Sequence, residues 1–296
     1  MEPEARHTRI IGRASHTKVA VSFALPARVG LITPGGSREA MGARPARYRV
    51  LSLDLHDTVV WDTRAIVEAQ YEVRWNLLAQ GLRMPNGSQV PSEELRRVRE
   101  VLSSKLKSEG RPVESVPVAT QVDRIRQLLG AEYTGPVEQV VQRYAEGGLA
   151  EHPPIFNPEA QALVRHLNEV GLPVVVITDT SRSGLVWKSF LEAAGGMRLA
   201  HVIASTDAGA CKPDPRIFAE AARRAAVSAA EILHVGDSWT WDVEGARASG
   251  MGAALYRGLW SHYWDPVSPR EDPPATDSEI PSIDHLSEIR ALLGLV

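Results

Sequence analysis

The sequence predicts an α/β protein: a Rossmann-like doubly wound parallel sheet with an inserted helical-bundle cap. Three observations carry that expectation. Short, largely apolar runs at Val50-Leu51-Ser52-Leu53, Val174-Val175-Val176-Ile177 and Ile232-Leu233-His234-Val235 read as strands buried on both faces. From residue 154 onward such runs alternate with amphipathic helical segments, as in a parallel sheet covered by crossover helices. Between the first run and Pro153-Pro154 the periodicity is helical, with no strand pattern.

The elements follow in order. After Leu53, Asp62-Thr63 opens a helix with the stripe Ile66, Ala69, Val73 and Leu77, and Gly81 ends it. Pro91-Ser92 starts the next, with Glu93 and Glu94 in its first turn and Leu95, Val98, Leu102 and Leu106 as its apolar face. Two more helices are expected over 117–129 (Val118, Val122, Ile125, Leu128, Leu129) and 136–146 (Val137, Val140, Val141, Tyr144). Asn157-Pro158 then supplies a capping residue and a first-turn proline for a helix carrying Leu163, Val164, Leu167 and Val170, closed by Gly171. A helix near 183–194, a strand at His201–Ala204, a helix opened by Asp214-Pro215, a helix near 239–249 ending at Gly250, a strand at Gly252–Leu255 and a helix near 284–293 complete the series. The expected division is a core of residues 47–61 and 154–296, an inserted helical domain of residues 62–153, and an N-terminal extension, residues 1–46, without structure.

Bulk properties exclude several classes. The 296 residues are 44% hydrophobic and 23% charged, with a net charge of −3 that suggests neither nucleic acid nor a membrane surface as partner. No apolar run reaches the ~18–20 residues a bilayer requires. The single cysteine, Cys211, allows no intrachain disulfide and suits a reducing cytoplasm; it reads as a packing residue rather than a nucleophile. The stretch before Tyr48 is rich in arginine and poor in acid. It resembles an organelle transit peptide but lacks a clear amphipathic pattern, so the reading taken is an unstructured tail or an upstream extension with Met41 as the start.

The residues that carry chemistry lie just past the strands. Asp54-Leu55-His56-Asp57-Thr58 follows the first, Thr178-Asp179 the second, and Gly236-Asp237-Ser238 with Asp242 the strand at 232–235; Lys212-Pro213-Asp214-Pro215 lies between the last two. Ligands of open α/β sheets bind beyond the carboxyl ends of the strands. Carboxylates, a hydroxyl and a lysine meeting there suit metal-assisted phosphoryl transfer through a carboxylate nucleophile. A hard divalent cation would take oxygen ligands from Asp54, Asp237 and Asp242. Lys212 would hold Asp54 and a phosphate oxygen, and the Thr178 hydroxyl would donate to the same anion.

These segments resemble the four motifs of the haloacid dehalogenase-like hydrolase superfamily, in order, over residues 48 to the C-terminus: Asp54 with Thr58, Thr178, Lys212 with Pro213, and Gly236-Asp237 with Asp242. The insertion is similar to the helical cap of one subclass. The resemblance implies a nucleophilic Asp54, and His56, Thr178 and Lys212 are expected to complete the catalytic set. It implies Mg²⁺ held by Asp54, Asp237, Asp242 and the backbone carbonyl of His56. Asp57, Thr58, Asp179 and Ser238 are expected to contact substrate. That substrate is a small-molecule phosphate ester; a homodimer is left open. One departure stands out. Superfamily phosphatases carry a second aspartate two residues after the nucleophile, but here His56 holds that place and Asp57 replaces the usual glycine. Three readings are open: His56 is the general acid, Asp57 substitutes for it, or the protein binds with little or no turnover.

Two other activities fit the sequence less well. Dehalogenase-type hydrolysis fits the Trp241-Asp242 pair but has no use for Gly236-Asp237. Phosphonoacetaldehyde hydrolysis would need a cap lysine, and Lys105 and Lys107 lie on a charged helix face. Trp61, Arg64, Tyr71 and Trp75 are candidates for substrate contact by position. The segment 258–277, with Trp260, Tyr263 and Trp264, is expected to cover the site or pack on the core.

Overall fold

A computed structural model describes residues 47–110, 112–258 and 279–295. The N-terminal extension and the aromatic segment after Gly258 lie outside the described residues. Six parallel strands form the central sheet: β1 (Val50–Leu53), β6 (Val174–Thr178), β7 (His201–Ala204), β8 (Ile232–Gly236), β9 (Gly252–Tyr256) and β10 (Ser282–Ile283). Their order is β10-β9-β8-β1-β6-β7, so β1 sits at the point where the winding reverses. In register, Leu53 lies beside Val176 and Val235, which aligns the strand ends carrying Asp54, Thr178 and Asp237. Within the same sheet, β10 is an addition for which two residues offer no readable pattern.

Side-chain alternation explains why both faces must be covered. Leu51 and Leu53 point to one face, where they join Leu163, Val164 and Leu167 of α5 (Pro158–Glu169) and Trp187 and Leu191 of α6 (Gly184–Gly195). Val50, Val175 and Ile177 point to the other, against Ile217, Phe218 and Ala221 of α8 (Pro215–Ala225). A third apolar cluster is separate from both. It is built by α1 (Arg64–Gly81), α2 (Ser92–Ser108), α3 (Val118–Leu129) and α4 (Val137–Glu146) through Trp75, Leu78, Leu95, Leu106, Val122, Ile125 and Tyr144. No helix among the described residues is long and apolar enough to cross a membrane.

Several details differ from the sequence reading. In α1 the buried positions are Gln70, Arg74, Trp75 and Leu78, whereas Ile66, Val73 and Leu77 are half-buried. Apolar periodicity misplaces this face because Gln70 and Arg74 stand on it beside Trp75, Leu78 and Ala79. Gly81 is the last residue of the helix, as expected, and a Cβ there would lie 2.5 Å from a Val140 methyl, so it also allows close packing of α1 on α4. Two-residue strands β3 (Leu82–Arg83) and β4 (Glu132–Tyr133) pair within the helical region, and β2 (Val60–Trp61) pairs with β5 (Ile155–Phe156) where the chain leaves and re-enters the core. The segment after β8 is a π-helical turn (Trp239–Glu244), with Val243 N–H bonded five residues back to Ser238 O, followed by the short α9 (Gly245–Ala248). The last helix is only α10 (Ile289–Leu292), after a 3₁₀ turn at Leu286–Glu288.

Candidate active site

The ends of β1, β6 and β8 open into a cavity of about 340 Å³. Asp54 and Lys212 line it, both buried, with Asp242, which is 1% exposed. Lys212 Nζ donates to Asp54 Oδ1 and, at 2.6 Å, to Asp242 Oδ1. Oxygens of Asp54, Asp237 and Asp242 lie within 4.8 Å of one another. At such a spacing each like-charge pair costs about 3–4 kcal/mol if the effective dielectric constant is ~20. Burial pulls the Lys212 ammonium down, but Asp242, Asp54 and Asp179 outweigh it, so its pKa is raised and the charge is held. Burial pushes Asp242 up, yet Lys212 and His234 hold it well below the ordinary carboxylate range. Asp237 has no such partner among the described residues. Burial, then Asp54, Asp242 and Asp57, drive its pKa well above the ordinary value.

The donor set fits a hard divalent cation: three carboxylates converge on one point, and the least compensated of them, Asp237, faces the other two. Gly236 is required for this convergence, since a Cβ there would collide with the Asp242 carboxylate. The π-turn returns Asp242 to the site, where its Oδ2 accepts Ser238 N–H at 3.1 Å.

On the other side of Asp54, Thr178 closes β6. Its Oγ1 is buried, with no hydrogen-bond partner, and the residue lines the cavity. A buried hydroxyl left without a partner is costly unless a ligand satisfies it. Asp179 Oδ1 accepts Lys212 N–H at 3.0 Å, which ties the lysine loop to β6; burial, against the pull of Lys212, raises Asp179 to about 6. His56 packs its ring edge-on to Trp187 and places Nδ1 3.4 Å from Asp62 Oδ2, close enough for charge pairing though too poorly placed for a hydrogen bond. Burial lowers the imidazole pKa, but Asp62, Asp54 and Asp57 overcome this and raise it. Asp57 has φ 58°, a left-handed conformation that glycine adopts freely and aspartate tolerates.

Of the residues selected from the sequence, Asp54, His56, Asp57, Thr178, Asp179, Lys212, Asp237, Ser238 and Asp242 all line this cavity. Thr58 does not; it is buried, and its carbonyl accepts from Asn157 Nδ2 at 2.9 Å. Tyr71 lines the cavity too, whereas Trp75 is inside the helical cluster and Arg64 is an exposed partner of Glu68. For Cys211, burial pushes the thiol up to about 12, which removes it as a nucleophile.

A family model for haloacid dehalogenase-like hydrolases matches residues 48–250, more than half of the chain. The chain belongs to this family. Among curated members, a haloacid dehalogenase-like hydrolase domain-containing protein from Bos taurus is 36% identical over 129 residues, covering 43% of this chain and 48% of that protein. A glyceraldehyde 3-phosphate phosphatase from Methanopyrus kandleri is 32% identical over 126 residues, covering 42% and 51%. The chain thus spans about half the length of the curated relatives it matches. A 2-haloacid dehalogenase structure from Pseudomonas syringae superposes with a TM-score of 0.53 at 23% identity, covering 83% of this chain and 98% of that one, which shows a shared fold. This haloacid dehalogenase-like protein therefore has an α/β fold built on a Rossmann-like sheet.

Its site includes residues that sequence reasoning passed over. Of the pair Asp62-Thr63 expected to open α1, Thr63 is the cap, its hydroxyl accepting Ile66 N–H at 3.1 Å, whereas Asp62 turns inward to His56 and Gln70. His234 interrupts an otherwise apolar strand, which was the available signal. It lies fully buried between Ser52 Oγ, 2.9 Å from Nδ1, and Asp242 Oδ1, 3.1 Å from Nε2, with Phe218 edge-on. Such a partner fixes the orientation of a functional carboxylate. Replacing it with leucine should leave Ser52 and Asp242 short of a partner and cost about 1–3 kcal/mol in urea unfolding. His234→Gln, which keeps an N–H toward Asp242, should recover part of the loss; equal stability of wild type and His234→Leu would contradict this role.

Proposed function

We propose that this hydrolase is a Mg²⁺-dependent phosphatase of a small phosphate ester, acting through an aspartyl-phosphate on Asp54. The observation that carries the reading is the convergence of Asp54, Asp237, Asp242, Lys212 and the unpartnered Thr178 hydroxyl in one cavity. The relatives named as phosphatases support it, among them the glyceraldehyde 3-phosphate phosphatase and a phosphoserine phosphatase from Thermus thermophilus that is 36% identical over 111 residues. A dehalogenase reading leaves Asp237 without a task, because a metal-independent reaction gains nothing from a third crowded carboxylate.

The residues then take these roles. Asp54, Asp237, Asp242 and the His56 carbonyl would hold Mg²⁺, which when bound offsets the repulsion between Asp54 and a phosphate. Lys212 fixes the Asp54 carboxylate for attack on phosphorus and neutralises oxygen charge. Thr178 Oγ donates to a phosphate oxygen. The Asp54 oxygen forms a bond to phosphorus as the ester P–O bond breaks, and the departing alkoxide takes a proton from His56. Water then attacks phosphorus, with His56 accepting its proton, to release phosphate and restore Asp54. Asp62 supports this assignment of His56 over Asp57, since it stabilises the imidazolium and faces Nδ1, leaving Nε2 for proton transfer. The helices over 62–153 act as a cap that closes the cavity with Gln70, Tyr71 and Arg74.

Two measurements test this reading. Phosphate release from p-nitrophenyl phosphate should require Mg²⁺ and fall to background in Asp54→Asn; activity indifferent to chelator would remove the proposal. His56→Ala should slow alkyl phosphates by about 10²–10⁴ and aryl phosphates much less, because a good leaving group needs little protonation. Equal slowing of both would take the proton-transfer role from His56.

A further inference from the structure

The cavity wall away from Asp54 carries two buried guanidinium groups. Arg74, on α1, is 2% exposed, and Arg182, in the loop after β6, is 3% exposed; both line the cavity. Arg74 donates from Nε to Tyr144 O at 3.0 Å, from Nη1 to Ser181 Oγ at 2.9 Å and from Nη2 to Ser181 O at 3.2 Å. Arg182 donates from Nη2 to Gln70 Oε1 at 3.1 Å and Gly147 O at 3.0 Å, and from Nη1 to Ala145 O. A guanidinium has five N–H groups, so each arginine keeps two that these bonds do not use. Neither has a carboxylate within 4.0 Å among the described residues, although nearly all arginines buried to this degree are paired with one.

The carbonyls of Tyr144, Ala145 and Gly147 belong to the carboxyl end of α4, and that helix end explains part of the arrangement. Its dipole amounts to about half a negative charge, against two full positive charges. The tyrosine rings add to it: the Arg74 guanidinium lies 4.3 Å from the Tyr144 ring centre and 5.4 Å from that of Tyr71. Burial, followed by repulsion from Arg74, lowers Arg182 to about 9. Glu114 lines the same cavity but pairs with neither arginine. The cavity is thus bipolar: carboxylates at one end, arginines at the other, and the Gln70 side chain between them, with Nε2 3.4 Å from Asp62 Oδ1 and Oε1 accepting from Arg182.

We propose that Arg74 and Arg182 form a subsite for a second anionic group, a carboxylate or a second phosphate, carried by the alcohol half of the substrate. The inference rests on the phosphatase reading for what occupies the Asp54 end. It narrows the substrate class to small phosphate esters bearing two acidic groups a short carbon chain apart. The second anion would supply the charge that the wall lacks, and the unused N–H groups would donate to its oxygens in the forked geometry that suits guanidinium.

The test compares three esters with the full-length protein in Mg²⁺: glycerol 3-phosphate, 3-phosphoglycerate, in which a carboxylate replaces the hydroxymethyl group, and 1,3-propanediol bisphosphate. At least one of the two doubly acidic esters should exceed glycerol 3-phosphate in kcat/KM by about 10- to 100-fold, as expected for charge-assisted hydrogen bonds, and the better of the two identifies the second anion as carboxylate or phosphate. Arg182→Gln and Arg74→Gln should each bring that ratio close to one, while Arg182→Lys, which keeps the charge without the fork, should retain part of it. Calorimetric titration of the same esters into the Asp54→Asn protein gives the preference without turnover. A ratio near one in the wild-type protein, or equal binding of all three esters, overturns the subsite and leaves the phosphatase reading intact. Absence of any turnover together with selective, arginine-dependent binding of a doubly acidic ester would do the reverse.

Discussion

The buried ammonium of Lys212 bonds to Asp54 and Asp242 while Asp179 and Asp237 stand nearby, and the arrangement of the site follows from this crowding. One positive charge cannot compensate four carboxylates. Asp242 is satisfied by Lys212, His234 and Ser238 N–H, and Asp54 by Lys212, which leaves Asp237 with its pKa driven up. The deficit makes a divalent cation a fitting resident. It also explains local features with no other purpose: a glycine at 236 so that Asp242 can lie against the strand end, a π-turn to bring Asp242 back, and an Asp179 bond that anchors the lysine loop.

The helical insertion meets the same cavity largely with polar residues, Gln70, Tyr71, Arg74 and Glu114, beside Val67. Gln70 and Arg74 occupy the buried side of α1 one turn apart, and Arg182 reaches from the core loop to the carbonyl end of α4. Hydrogen bonds from Arg74 to Ser181 and from Arg182 to Gln70 therefore join the insertion to the loop that begins with Thr178. A ligand drawing on these arginines would act on the two parts of the fold at once. Carboxylates and buried guanidinium groups thus line the same cavity.

Much of this was legible in the sequence, and the reason is physical. Parallel strands buried on both faces are written as largely apolar runs, so β1, β6 and β8 could be located and the residues after them assigned to one edge of the sheet. The apolar stripes of α2 and α5 were readable for the same reason: they face dry clusters. The inner face of α1 was not, because Gln70 and Arg74 share it with Trp75 and Leu78 and find their partners only through the tertiary fold. Asp62 looked like a cap because aspartate before a helix usually is one. His234 was visible as an oddity in a strand, but its partners, Ser52 and Asp242, are 182 and eight residues away, and one of them depends on a turn type that sequence does not announce. Asp57 stands where the family's glycine would be, and the positive φ of that position shows why glycine is favoured there and why aspartate is tolerated.

The central claim is that Asp54 is the group that receives the phosphoryl moiety, with its neighbours arranged to make that possible. The most direct measurement is chemical trapping: acid quench of the protein during turnover of p-nitrophenyl phosphate, reduction with borohydride, and mass spectrometry of the peptide containing residue 54. The account predicts conversion of Asp54 to homoserine, dependent on substrate, because only an acyl phosphate is reduced in this way. Turnover under the same conditions with Asp54 unmodified, or with the reduced residue found elsewhere in the chain, would contradict it.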